Sequence, residues 1–487
     1  VTAVPAPGHD PLGHTSTGHT SAGHTVLADA DGTAYASLRQ RPAARAARYA
    51  MGKALRKRVP RAALAHWAPP DDRPDPVALV RASHEGRVPE LVPVRVERMT
   101  ASPYGFLRGS AVVMAHDVAH LPATGIRPVV CGDAHLGNFG FYASPERDLV
   151  IDLNDFDEAH PGGWEWDLRR LGASIWVAGR QNGAGEDDCA AAVASCAAAY
   201  REEIRHLAAL PLLSRSYERL DVDRLGEQAS ASLRAEVRRA AERARRRTSD
   251  RALPRFTHSV GGARRIVEEP PLITRLPDRE AEDVAAALDD YLRTLAPHWR
   301  RALGGYTVVD VAHKVVGVGS VGLRAYVALL EGSDPDDVVF LQLKQARRSV
   351  LARYVHGSSA LHAHQGQRVV EYQQALQTVS DPLLGWTTVP DGSGGERQFY
   401  VRQFRNMKGS VALDAIGPGA LADYAGIVGH LLAKGHARTS GASMIAGYVG
   451  RGENLDEALT AFSRAYADQT EADHAELVRA ARDGRLG

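Results

Sequence analysis

At 487 residues, with 44% hydrophobic and 24% charged residues, the chain is long enough for two or three packed domains. A formal net charge of +1 argues against a dedicated nucleic-acid binder, which carries a basic excess, and no run approaches the ~18 apolar residues of a membrane span. Cys131, Cys189 and Cys196 offer no C-x-x-C spacing and the N-terminal stretch has no apolar signal core, so free thiols in a reducing cytoplasm are expected, with no export and no membrane partner.

Residues 1–35 carry a five-residue repeat in which His9, His14, His19 and His24 each follow glycine among Ser, Thr and Ala. Such low complexity predicts a disordered tail, and spaced imidazoles on it are poor grounds for a metal site. Residues 36–68 read as a basic helical region in which Arg39, Arg45, Arg48, Lys53, Arg56 and Lys57 form a solvated face, until PPDDRPDP breaks the chain. SPYGFLRGSAVVMAHDVA, residues 102–119, predicts one helix after a Ser-Pro start.

The densest chemistry lies between Val129 and Leu171. An apolar run breaks at Gly132 and at once sets out Asp133, His135 and Asn138; a second run, Leu149 to Leu153, ends in Asn154, Asp155, Asp157 and Glu158. Two short strands therefore each deliver carboxylates at one end. Like charges this close repel unless a cation or proton lies between them, and Mg²⁺, which takes oxygen ligands and shares its sphere with phosphates, is the natural candidate. The spacing suits phosphoryl transfer, with Asp133 orienting an acceptor hydroxyl and Asn138 and Asp155 holding the metal. Asp148, Asp152, Asp157 and Glu158 read as merely solvated acids of polar turns.

A long helical territory is expected from Asp167 to about residue 302, containing the basic run 236–251 as an exposed helix and an extended, Pro-interrupted segment at 260–276. From Tyr306 the composition turns to Val, Gly and Leu. Two strands joined by GVGSVG (317–322) predict a hairpin whose turn, with Gly317, Gly319, Ser320 and Gly322, would close backbone N–H groups over phosphates. By itself G-x-G-x-x-G is unspecific, and no helix follows it as a dinucleotide site requires. The next strand carries Lys344, one of only six lysines among 59 basic residues, as a compact charge able to reach a phosphate. Glu371, on the helix GQRVVEYQQALQTV, is placed to pair with Lys344, and a second hairpin ends at Gln403, Phe404 and Arg405, where an adenine-binding hinge is expected. Residues 419–438 and 454–483 read as helices. His436 reads as a helix-end histidine.

GDAHLGN resembles the GDxHxxN loop of the aminoglycoside and choline type small-molecule kinases, DFDEA resembles their metal-binding segment, and Asp167-Leu168 sits where those kinases place an Asp-Leu pair. FLQLK resembles the kinase V-A-I-K lysine segment. From about Met51 onward, blocks such as CGDAHLGNFGFY, HKVVGVGSVGLRAY and FYVRQFRNMKGS resemble the bacterial family called domain of unknown function 2252. Cys131 replaces the His that many kinases carry before Gly-Asp, a supporting position, and His135 tilts the acceptor towards a small molecule. The resemblance implies an α+β, protein-kinase-like two-lobed fold that is circularly permuted. A helical lobe (36–305) with the catalytic loop precedes a β-rich nucleotide lobe (306–410), and C-terminal helices (411–487) pack back on the helical lobe. The expected activity is ATP- and Mg-dependent phosphotransfer to a hydroxyl group. A nucleotide-binding pseudokinase, or nucleotidyl transfer by the same site, is the alternative.

Overall fold

A computed structural model describes residues 43–220, 230–260, 263–315, 317, 319–334, 336–355 and 362–486; the histidine-repeat tail lies outside the described residues. The first part is built from apolar residues at helical spacing. Helix α1 (Arg45–Leu55) comes from the basic segment, yet that segment is more than a solvated face. Arg56 donates through Nε and Nη2 to the carbonyls of Tyr448 and Gly447, at 2.8 and 2.6 Å, and so satisfies the end of a distant helix. Helices α2 (Pro76–Ala82) and α3 (Val92–Thr100) follow.

The stretch expected as one helix over 102–119 is two, α4 (Pro103–Gly109) and α5 (Ala111–Ala119), with Ser102 capping the first through the Gly105 N–H. The break has a cause remote in sequence. The Leu107 carbonyl accepts Arg170 Nη2 and the Gly109 carbonyl accepts Arg95 Nη2, both at 2.7 Å, while Val113 N–H turns to the Ser110 carbonyl.

Strand β1 (Val129–Val130) leads into the Asp133 loop, β2 (Phe139–Ala143) and β3 (Leu149–Leu153) pair antiparallel with Phe139 opposite Leu153, and β4 (His160–Pro161) returns to β1. Helix α6 (Trp164–Gln181), buried from Trp164 to Gly179, and α7 (Glu186–Ala209) form the centre of the helical part. Cys189 and Cys196 lie on the buried side of α7, as their spacing predicts. The shorter α8 (Leu212–Tyr217), then α9 (Ala231–Arg245) and α10 (Ser249–Phe256) complete it.

The helical territory runs to Leu303, and the extended segment expected at 260–276 within it contains strands. Strands β5 (Thr257–Val260) and β6 (Ala263–Ile266) form a hairpin, and β7 (Ile273–Arg275) joins the main sheet before α11 (Asp278–Thr294) and α12 (Pro297–Leu303). The sheet continues with β8 (Thr307–Lys314), β9 (Ala325–Glu331) and β10 (Val338–Gln345). After α13 (Ala352–Val355) and α14 (Gln365–Leu376) it gains β11 (Gly385–Pro390) and β12 (Glu396–Gln403). Its order is β11-β12-β10-β9-β8-β7, antiparallel throughout.

Period-two alternation assigns the two faces. Tyr326, Ala328, Leu341, Leu343, Phe399 and Val401 pack against Val284, Leu288 and Tyr291 of α11. Lys344 and its cross-strand partner Tyr400 have the opposite parity, and Tyr400 packs into the helical core. Alternation alone thus turns Lys344 towards the helical part. Helices α15 (Pro418–Thr439), α16 (Ala442–Val449) and α17 (Asn454–Arg482) then return, α15 onto α7, α16 onto α1 and α17 onto α6 and α7. The result is a mixed α+β protein in which the sheet-bearing part is inserted within the helical part. Among the described residues no helix is long and apolar enough to cross a membrane.

Candidate functional site

The site grows from the turn after β1. Gly132 has φ +78°, and a Cβ there would stand 2.2 Å from the Glu158 carbonyl oxygen, so the chain needs glycine both for the dihedral and for the space. Asp167, in the first turn of α6, fixes the turn: its carboxylate accepts Cys131 N–H at 2.6 Å and Gly132 N–H at 2.9 Å. Behind it, His436 donates from Nε2 to Asp167 at 3.2 Å and accepts the Tyr200 hydroxyl on Nδ1 at 2.8 Å. His436 lies in the last turn of its helix, as expected, and is fully buried in this chain of bonds. The Cys131 thiol lies 3.3 Å from the Asp155 carbonyl and ties the two acidic segments together, the supporting role expected of it.

Asp133 receives Arg170 Nε on Oδ1 at 2.5 Å. Burial pushes its carboxyl up to about 7, although Arg170 opposes this. Asn138 donates its Nδ2 to the Asp133 carbonyl at 2.6 Å, which leaves Oδ1 as the atom it can offer a cation. His135 is buried and accepts Gly137 N–H on Nδ1 at 3.1 Å; burial, and then Arg108 and Arg170, hold the ring well below its ordinary pKa and therefore neutral.

From the sheet, Lys344 Nζ reaches Asp157 Oδ2 at 2.8 Å and Asp155 Oδ1 at 3.7 Å, lying 5.1 Å from the Tyr400 ring centroid. Burial alone would lower this lysine, but the two carboxylates win and keep it protonated. Burial raises Asp155, but Lys344, then Lys408 and Arg402, outweigh it and hold the carboxyl below its ordinary value. Ser320, in the glycine turn, donates to Asp157 Oδ2 at 3.1 Å. Oδ1 of Asp155 and Oδ1 of Asp157 are both buried without a hydrogen-bond partner. Among the described residues no three His, Cys, Asp or Glu side chains gather as a metal site. The donor set fits Mg²⁺ even so, because that ion takes one or two carboxylates and fills its octahedron with water and substrate phosphate. Asp155 and Asn138, with Asp157 added, would be its protein ligands.

The glycine turn is fastened to the helical part through its carbonyls: Val88 N–H donates to that of Gly322 at 2.8 Å, the Arg87 side chain to that of Val321 and the Arg98 side chain to that of Gly317. Gly317, Gly319 and Ser320 thereby close over Asp133, His135, Asn138 and Asp155, lining one cleft of about 430 Å³. That volume suits a small molecule.

Three expectations need correction. Glu371 does not pair with Lys344; it is held by His362 Nε2 and Gln367 Nε2, each at 2.7 Å. Helix α14 is docked with Gly366 against the Phe399 carbonyl, which sends Arg368 inward instead, to the carbonyls of Asp157 and Arg347 at 2.8 and 2.9 Å. Gln403, Phe404 and Arg405 do not line the cleft, nor, among the other expected site residues, do Gly322, Lys344 and Glu371. The Gln403 and Phe404 N–H groups are spent on Asp381 Oδ2 and the Phe340 carbonyl, and Arg405 stacks on Phe256 at 4.7 Å. Of the acids read as solvated, only Asp148 is exposed. Asp157 belongs to the site, Asp152 is a buried partner of Lys434, and Glu158 accepts Val350 N–H at 2.7 Å. Arg170 was the functional neighbour hardest to foresee; its only signal is an arginine amid the apolar residues Leu168 and Leu171 of a buried helix.

Fold and cleft together define a mixed α+β protein whose acidic loops meet a sheet lysine beneath a glycine turn. Residues 87–480 match the family described as uncharacterized protein conserved in bacteria, DUF2252, and the chain belongs to that family. No curated protein and no solved structure matches it.

Proposed function

We propose that this protein is an ATP- and Mg-dependent phosphotransferase acting on a hydroxyl group of a small molecule, with a permuted kinase-like arrangement of its two parts. The observation that carries the reading is that Asp155 and Asp157, which meet Lys344 at 3.7 and 2.8 Å, line one cleft with Asp133 and Asn138. Residues more than 180 positions apart converge on the one place where phosphoryl transfer needs a cation, a metal-binding carboxylate and a base.

In this reading Arg170 occupies Asp133 Oδ1 and leaves Oδ2 to take the proton of the acceptor hydroxyl. The acceptor oxygen then bonds to the γ-phosphorus as the bond to the β-phosphate oxygen breaks, and ADP leaves with that electron pair. Mg²⁺ held by Asp155 and Asn138 would neutralise phosphate charge. Lys344 exchanges its contact with Asp157 for phosphate oxygens, and the N–H groups of the glycine turn, with Ser320, face the same charge. Catalysis of this kind is mostly positioning. Incubation with α- and γ-labelled ATP and a panel of hydroxylated metabolites tests it. Label passing from the γ position to a small molecule is expected; label from the α position would mean nucleotidyl transfer, and nucleotide binding without transfer a pseudokinase.

A further inference from the structure

The cleft holds a second group of charges that the transfer chemistry leaves without work. Arg95 is 1% exposed, and while its Nη2 donates to the Gly109 carbonyl, its Nε and Nη1 are both buried with no hydrogen-bond partner. Arg87 and Arg347 line the same cleft, and the groups that act on Arg95 are like charges: burial first, then Arg87 and Arg347, press it down to about 9. Arg108 lines the cleft too, with its Nε buried and unpartnered. The carboxylate that offsets Arg87 is Glu158, one of whose oxygens is already taken by Val350 N–H. A buried guanidinium with unpartnered N–H groups, pressed by neighbouring arginines, is costly even with Glu85 and Glu158 in the same lining, and an anion that enters with its ligand relieves the cost.

Their position says which ligand. Arg95 and Arg170 hold the Gly109 and Leu107 carbonyls, two residues apart at the end of α4, and the other side of Arg170 holds Asp133. Arg87 and Arg95 therefore stand on the helical side with Asp133, whereas Lys344 approaches from the sheet and Arg347 enters from the end of the same strand, β10, two residues past Gln345. Arg87 is fixed in place by the carbonyls of Ser83 and Val321, which hold Nε and Nη1 and leave Nη2 to offer a ligand. We infer that Arg87, Arg95 and Arg347 form an oxyanion site for the acceptor, so that the hydroxyl phosphorylated by this enzyme belongs to a molecule that also carries a phosphate or carboxylate group. The assignment to the acceptor rests on the phosphotransferase reading; the oxyanion site itself does not. Guanidinium forks match both oxyanions bidentately.

The test is calorimetric titration of the full chain with inorganic phosphate and, separately, with malonate, each with and without saturating Mg-ATP. Parent, Arg95→Met and Arg347→Met are compared, the second variant covering the case in which the first fails to fold. One of the anions is expected to bind the parent, both variants to weaken it about tenfold or more, and Mg-ATP to leave its affinity within about twofold. Preference for phosphate or malonate then names the acceptor's charged group. If neither anion binds, or the variants match the parent, the site does not exist. If Mg-ATP competes with the anion and the variants lose nucleotide affinity by the same factor, the cluster serves the nucleotide and the acceptor assignment is overturned. Arginine-dependent anion binding in a chain that binds no ATP would sink the phosphotransferase reading and leave the oxyanion site standing.

Discussion

Two lysines are met by aspartates that lie within six residues of one another, and the two meetings are finished differently. Asp152, inside β3, is buried: Oδ1 accepts Leu153 N–H at 2.9 Å, and Oδ2 meets Lys434, which also donates to Thr378 Oγ1 at 3.0 Å. Asp155 and Asp157 meet Lys344, yet each keeps one buried oxygen without a hydrogen bond, and their side chains are 43% and 22% exposed. The first pair is closed on itself; the second is open to a ligand. An ion pair alone therefore marks no site, and the informative feature is a buried polar atom left unsatisfied beside it.

The comparison is broken most strongly at the open site. Asp133→Asn is expected to lower turnover by roughly 10²–10⁴-fold while Mg-ATP affinity stays close to that of the parent. Asp155→Asn is expected to weaken Mg-dependent nucleotide binding and abolish transfer. Titration with ATP, with and without Mg²⁺, separates the two; nucleotide affinity lost in Asp133→Asn but kept in Asp155→Asn would reverse their roles.

At the closed pair the effect should fall on folding. Lys434→Met strands Asp152 as a buried charge and should cost about 3–5 kcal/mol in urea unfolding, whereas the double variant Asp152→Leu with Lys434→Met should recover most of it. A stable single variant would show that Asp152 reaches solvent. Smaller again is Lys344→Arg, which keeps the charge but replaces a compact ammonium with a wide planar fork. Unfolding should be nearly unchanged while turnover drops about tenfold, or ~1.4 kcal/mol in the barrier; full activity would remove Lys344 from the site. Least affected is Asp148→Asn, on the exposed turn of the same hairpin, with stability expected within about 0.5 kcal/mol of the parent.

Much of the acidic half of the site was legible, because Asp133, Asn138 and Asp155 lie close in sequence at strand ends where local pattern decides placement. Lys344 was legible through the scarcity of lysine and through FLQLK, an apolar strand that resembles the kinase lysine segment. What escaped depends on contacts across the chain. Which residue of α14 faces inward is set by Gly366 against Phe399, so Arg368 and not Glu371 reaches the acidic segment. The break after Gly109 is made by Arg95 and Arg170, whose carbonyl bonds no propensity at 102–119 encodes. The hinge expected at Gln403 to Arg405 failed because a strand end looks the same in sequence whether its N–H groups are free or spent on Asp381 and Phe340. The start of the sheet was missed because β7 has three residues, too few for a periodic signal.

The insertion of the sheet within the helical part has a consequence for biosynthesis. Helix α7 buries its apolar side against α15, and α6 against α17, so the partners of the central helices leave the ribosome more than 200 residues after them. Synthesis at about 5–20 residues per second leaves those surfaces unpaired for ten seconds or more. His436, which braces Asp167 and through it the Asp133 turn, arrives with α15. A nascent chain thus exposes these faces of its central helices for that interval, and its acidic loop becomes rigid only once α15 has been made.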